Sequence, residues 1–331
     1  MANRAGGSRS IFKTVTSAPA LRFLHPALVV DWIVVFSLSL LGHYIERQPV
    51  FERNVAHYLT PFPDPSISYD HHFIERVPAH PNGPLDQITF YAPIGIFLLV
   101  GGLLRWSLHD VHNAVLGLWT SRELMRVTVE FIKNRVGRLR PDFLSRCAWS
   151  VVEQACTGPP LLVKDGRRSF PSGHSSTAWQ GLLFLALYLA GKNGAFAYFY
   201  PPHHSLAPLP TPRPSRVPTI VRQLLSSHLL RLIVALAPLS LAVWIPITRI
   251  EDNYHHYTDV LAGSFIGALC ALAGYLMYFP PPWRASVEEE EMERRRGEPR
   301  MVYREREAAD FTEGRVRLLE EDEEAAPGAE V

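Results

Sequence analysis

DVLAGSFIGALCALAGYLMYF, residues Asp259 to Phe279, carries one charge, at its first position, and then twenty residues without another. A helix needs about 20 predominantly apolar residues to cross roughly 30 Å of hydrocarbon, so this stretch is long enough to span a bilayer. Similar apolar blocks occupy 27–46, 86–108, 173–191 and 228–247. Several such blocks in one chain exclude a single soluble core. A further segment, 111–132, is interrupted by Arg122, Glu123, Arg126 and Glu130. These charges fall three and four residues apart, a spacing that lets them pair along one helix. Charge at membrane depth faces protein or a water-filled cavity, so this segment is expected to be a helix turned toward the bundle. The expected fold is therefore all-α: an integral membrane six-helix bundle with its active site at the luminal or extracellular ends of helices three to six.

Whole-chain averages hide this pattern. The 331 residues are 47% hydrophobic and 20% charged, with a mean hydropathy of +0.01, values typical of a soluble protein. A net charge of +1 and a pI of 7.9 give no global basic field for nucleic acid. Three cysteines are too few for a disulfide framework. Cys147 and Cys156 share one loop and would pair if it faces an oxidising lumen, whereas Cys270 lies inside an apolar block as a small hydrophobe.

The chain divides into three parts. Residues 1–26 form a basic, Ser-rich leader without a cleavage pattern, expected to be cytosolic. Residues 27–279 form the membrane domain, with luminal loops 47–85, 133–172 and 248–258 and a proline-rich cytosolic loop 192–227. Residues 280–331 alternate acidic and basic runs and read as a solvated, disordered tail. Six crossings put both termini on the cytoplasmic side, together with the leader and the 192–227 loop, as the positive-inside rule prefers. Lys133, Arg135, Arg138, Arg140, Arg146, Lys164, Arg167 and Arg168 break that rule, and chemistry gives the reason.

Three clusters share the luminal face in this topology: Lys133 with Arg140-Pro141, after helix three; Pro171-Ser172-Gly173-His174, before helix four; and Thr248-Arg249, His255 and Asp259, between helices five and six. Lys133, Arg140 and Arg249 offer three cations to a dianionic phosphate, the arginines with forked donors. Ser172 and Gly173 open a helix, where unpaired N–H groups and the dipole favour an anion. Asp259, four residues after His255, can hold one imidazole nitrogen and make the other a better nucleophile. His174, with no acid nearby in sequence, suits a general acid for the leaving oxygen. Together these groups amount to phosphoryl transfer through a phosphohistidine. Taken singly, Pro-Ser-Gly-His reads as a helix N-cap and Arg249 with His255 as a juxtamembrane polar rim. Three complementary clusters on one face favour the enzymatic reading.

These residues resemble the three signature motifs of the type 2 phosphatidic acid phosphatase superfamily, the lipid phosphate phosphatases. Lys133 and Arg140-Pro141 fit the first, Pro171 to His174 the second, and Arg249, His255 and Asp259 the third, where Thr248 replaces the usual serine and keeps a hydroxyl. Asp64 to Tyr69 and Glu75 to Pro78 are similar to the first luminal loop of the eukaryotic lipid branch. The resemblance covers about residues 27–279. It implies metal-independent hydrolysis without a cofactor, with Lys133, Arg140 and Arg249 on the phosphate, assisted by Ser172 and Gly173. It makes His255 the nucleophile, Asp259 its orienting partner and His174 the proton donor. Implied substrates are phosphatidate, diacylglycerol pyrophosphate and lysophosphatidate in the bilayer. His256 falls outside the motif register.

Other chemistries fit less well. No Asp-x-Asp-x-Thr stretch occurs, and none of Cys147, Cys156 and Cys270 has an arginine six residues later. The adjacent pairs His71-His72, His203-His204 and His255-His256 point to different faces and make weak metal ligands. The resemblance also leaves open an enzyme of the same fold that acts on sphingoid-base phosphates or isoprenoid diphosphates. A non-catalytic membrane scaffold would be expected to lack some of the motif residues, and a transporter would carry its charges near the midplane.

Overall fold

In the computed structural model the described residues are 26–55, 58, 64–67, 83–104, 108–196 and 227–283. Nearly all of the leader, the proline-rich stretch 197–226, the tail from 284 and the 68–78 portion of the first loop lie outside them.

The described chain is mostly helical. Helix α1 spans Pro26–Arg47. A helical run over 84–104, here α2, includes π-helical stretches at Gln87–Tyr91 and Leu98–Leu104. Pro93 lies inside this run and has no N–H to give the carbonyl four residues earlier, a standard cause of altered helical winding. Helix α3 spans Leu108–Val136, and short helices α4 (Phe143–Cys147) and α5 (Pro160–Gly166) flank a two-stranded hairpin of β1 (Trp149–Ser150) and β2 (Ala155–Cys156). Three long helices follow: α6 (Gly173–Asn193), α7 (His228–Glu251) and α8 (Tyr257–Tyr278).

Helix α6 is the hub, packed against α3, α7 and α8, while α1 lies along α3. Phe97, Leu118, Phe184, Tyr188, Ala271 and Tyr275 form the core where these elements meet. Helix α8 reaches α6 closely at Gly263, where an added Cβ would stand 2.4 Å from the Ser172 carbonyl oxygen. That contact brings the Asp259 end of α8 against the start of α6.

Among the described residues, four helices are long and apolar enough to cross a membrane: α1, the 84–103 part of α2, α7 and α8. Their outer faces expose Ile33, Leu40, Leu229, Trp244, Leu261 and Phe265, an arrangement suited to lipid rather than water. The other two long helices, α3 and α6, are more polar. Helix α3 carries charges, and much of α6 is enclosed by its neighbours, so less of it needs to match hydrocarbon.

Along α3 the Glu123–Arg126 pair forms as the spacing allows, and other elements supply further partners. Arg122 reaches Asp86 at 2.5 Å and Arg126 reaches Glu46 at 3.0 Å. Glu130 takes Lys133 at 3.0 Å and also Arg168. Only Arg126–Glu123 at 3.9 Å and Glu130–Lys133 stay within the helix. Neighbouring elements supply partners that satisfy both the charge and its burial.

The loop after α3 has its own small core of Val55, Ile67, Leu139, Phe143 and Cys147. Cys147 and Cys156 are joined by a disulfide, and Cys270 is a free thiol on α8.

Candidate active site

The ends of α3, α6, α7 and α8 meet the 137–172 loop at one place. Two helices run further than the sequence suggested. Lys133 lies in the last turn of α3 rather than after it, and Thr248 and Arg249 lie on α7, which continues to Glu251. Helix geometry thus holds two of the three motif cations directly.

Ser172 is the N-cap of α6: its Oγ accepts from the Ser175 N–H at 3.4 Å, and its own N–H donates to the Asp259 carbonyl at 2.9 Å. The N-cap reading of Pro-Ser-Gly-His is therefore true of Ser172, alongside its place in the site. At Gly173 an added Cβ would stand 2.9 Å from Lys133 Nζ. A side chain there would push the lysine away, so glycine lets the ammonium lie against the helix start.

Arg249 is fully buried. It donates through Nε and Nη2 to Thr248 Oγ1, at 3.1 and 3.0 Å, and through Nη2 to Asp252 at 3.1 Å. The hydroxyl retained at Thr248 is thus in use. The Arg249 carbonyl accepts from the N–H groups of Tyr254 and His255, folding the turn back so that His255 faces inward.

Arg140 donates through Nε to the Asp165 carbonyl and through Nη2 to the Asp165 carboxylate, both at 2.9 Å. Its Nη1 stands 3.4 Å from Nε2 of His255. The guanidinium lies 4.4 Å from the Tyr254 ring centroid, and Arg146 lies 4.9 Å from the same ring. The His174 ring sits 6.3 Å from Tyr254, edge to face.

Asp259 is held by several donors. Arg138 Nη1 donates to Oδ1 at 2.6 Å, Ser169 Oγ to Oδ2 at 2.5 Å, and the His256 N–H to Oδ2 at 3.0 Å. His255 Nδ1 is 3.8 Å from Oδ2, beyond hydrogen-bond length, whereas His256 Nδ1 is 3.2 Å away. His256 caps α8 together with Asp259, and its Nε2 lies 3.1 Å from the Ser66 carbonyl.

Burial pushes His255 down to about 3, Arg140 and His174 add to that shift, and Asp259 opposes it. The ring is therefore neutral around pH 7, the form a nucleophile needs. For Asp165, burial would raise the carboxyl, but Arg140, Arg146 and Lys133 hold it below the ordinary value.

Arg138, Asp165, Ser169, Tyr254 and His256 all touch motif residues and were absent from the sequence-derived set. Arg138 and Ser169 reach Asp259 from 121 and 90 residues away, and no spacing rule connects such pairs. His256 had a visible signal: three residues before Asp259, it stands where a helix cap belongs.

The family model of the PAP2 superfamily matches residues 114–283, which contain all three clusters. Probable lipid phosphate phosphatase 4 of Arabidopsis thaliana is 30% identical over 261 residues, 76% of this chain and 73% of the relative. Diacylglycerol pyrophosphate phosphatase 1 of Saccharomyces cerevisiae is 31% identical over 267 residues, 76% of this chain and 79% of the relative. Lipid phosphate phosphatase 2 of Arabidopsis thaliana is 35% identical over 188 residues, 54% of this chain and 56% of the relative. No solved structure matches the chain.

Proposed function

The chain belongs to the PAP2 superfamily, and from that premise we propose that it is a membrane-embedded lipid phosphate phosphatase working through a phosphohistidine. The observation that carries this reading is the pair His255 and Arg140: a buried imidazole held neutral, with an arginine Nη1 3.4 Å from its Nε2.

Lys133, Arg140 and Arg249 hold the phosphate, with the head of α6 at Ser172 and Gly173 beside it. Nε2 of His255 attacks phosphorus as the bond to the lipid oxygen breaks, and His174 gives that oxygen its proton. Asp259 stabilises the charge that develops on the His255 ring, so its 3.8 Å separation from Nδ1 must close on binding. Catalytic hydrogen bonds commonly tighten only in the complex. Water, deprotonated by His174, then attacks phosphorus, releasing inorganic phosphate and regenerating His255. No metal is required. The substrates in this reading are phosphatidate, diacylglycerol pyrophosphate and lysophosphatidate; the names of the relatives, lipid phosphate phosphatase and diacylglycerol pyrophosphate phosphatase, support the lipid phosphate class.

All six long helices cross the membrane in this reading, the termini lie in the cytosol and the site faces the lumen or outside. The Cys147–Cys156 disulfide in the adjoining loop supports an oxidising compartment on that side. A tag within 192–227 is then accessible from the cytosol, and one within 147–165 is protected; the reverse pattern overturns this orientation. The activity is tested by phosphate release from phosphatidate in detergent micelles with excess EDTA, beside His255→Ala. Release that survives EDTA and disappears in the variant supports the reading; release unchanged in the variant removes His255 as nucleophile.

A further inference from the structure

Arg140 has three guanidinium nitrogens, and one residue takes two of them. The Asp165 carbonyl accepts from Nε and its carboxylate from Nη2, both at 2.9 Å. The planar, five-donor guanidinium is thereby fixed in rotation as well as position. The remaining nitrogen, Nη1, points to Nε2 of His255 and the Tyr254 carbonyl, at 3.4 Å each. The other Asp165 oxygen accepts from Arg146 Nη1 at 2.8 Å, and Arg146 is anchored through Nε to Asp142 at 2.7 Å. One carboxylate therefore bridges two arginines that both lie against the Tyr254 ring, next to His255 in the chain. Asp165 sits on α5 and belongs to none of the three motifs. Its side chain is 41% exposed, as expected of a residue at the edge of the site.

We propose that Asp165 is a positioning residue for phosphoryl transfer: by holding Nε and Nη2 of Arg140, it turns Nη1 toward the place beside His255 Nε2 where a phosphate oxygen binds. This rests on the phosphatase reading above. Asp165 acts through Arg140 and does not touch the phosphate itself. Without the carboxylate only the main-chain carbonyl still holds Nε, so the guanidinium is gripped at one nitrogen instead of two, can swing about that contact, and the donor is no longer aimed where charge develops.

The experiment compares wild type, Asp165→Ala, Asp165→Glu, Arg140→Lys and the double variant Asp165→Ala/Arg140→Lys, each as the full chain in detergent. Phosphate release and melting with and without inorganic phosphate or orthovanadate are measured. Asp165→Ala is expected to lower kcat about 10- to 100-fold, the range found when a supporting partner of a site residue is lost, with KM moving less. Asp165→Glu is expected to recover part of that loss. In the Arg140→Lys background, where the fork is already gone, Asp165→Ala is expected to cost less than about twofold more, the signature of coupled residues. Full kcat in Asp165→Ala, or a kcat loss that multiplies independently in the double variant, overturns the proposal. If wild type releases no phosphate, the phosphatase reading fails, and the melting data judge Asp165 alone. Orthovanadate, which takes the geometry of the transferring group, is expected to stabilise wild type more than Asp165→Ala, while inorganic phosphate stabilises the two alike; equal stabilisation of both by orthovanadate, or of neither, overturns the proposal.

Discussion

Arg138 places Nη1 2.6 Å from Oδ1 of Asp259, across 121 residues of sequence. The same nitrogen donates to Thr258 Oγ1 at 2.6 Å. Asp259 is fully buried, and Arg138 is the cation that balances it. Arg138 lies between Lys133 and Arg140 of the first motif, at a position that motif leaves open.

Arg138→Ala is therefore expected to act on rate more than on fold. Ser169 and the His256 N–H still hold Oδ2, so the carboxylate stays in place but is free to turn. A displacement of about 1 Å in such a group lowers turnover by about 100-fold. The check is kcat for phosphate release together with the melting temperature. An unchanged kcat would falsify the balancing role.

The two adjacent histidines should separate cleanly. His255→Ala removes the proposed nucleophile, leaving less than about a thousandth of wild-type turnover by the usual cost of losing one. His256→Ala removes a helix cap and the contact to Ser66, so about 1 kcal/mol of stability is expected to go while turnover survives. Equal and complete loss in both variants contradicts the assignment.

Acid should weaken the fold through His255. Its folded value is about 3 against 6.5 ordinarily. Below pH 6.5 the unfolded chain binds a proton that the folded chain refuses, so stability falls as pH drops from 6.5 toward 3. Above 6.5 the group contributes no pH dependence. At pH 5 the loss is about 2 kcal/mol by linkage. Melting at pH 5 and pH 7.5 should differ less in His255→Gln, which does not titrate; an equal difference in both proteins points to other groups.

The α6–α8 contact should not accept even one methyl. Gly263→Ala puts a carbon 2.4 Å from the Ser172 carbonyl oxygen. Helix separation or backbone shift costs about 1–3 kcal/mol, and the shift moves Ser172 and the start of α6. Both melting temperature and kcat are expected to fall, whereas Gly95→Ala, with nothing within 4 Å of the added carbon, should leave both near wild type.

The sequence by itself determined the long helices and the chemical types at their ends. Apolar runs of spanning length, Ser172 before a helix, and Asp259 four residues beyond His255 are local patterns, and local spacing suffices to read them. Chemical type also carried Lys133, Arg140 and Arg249 as a set suited to phosphate. Tertiary structure decided the partners. Glu130 spans α3 and the loop through Lys133 and Arg168, Asp165 bridges Arg140 and Arg146, and Arg138 with Ser169 holds Asp259. It also decided that His256, not His255, is the nearer imidazole to Asp259 in this state. A buried charge takes its partner from whichever element folding brings alongside. Contacts formed across 19 to 121 residues leave no periodic trace in the chain.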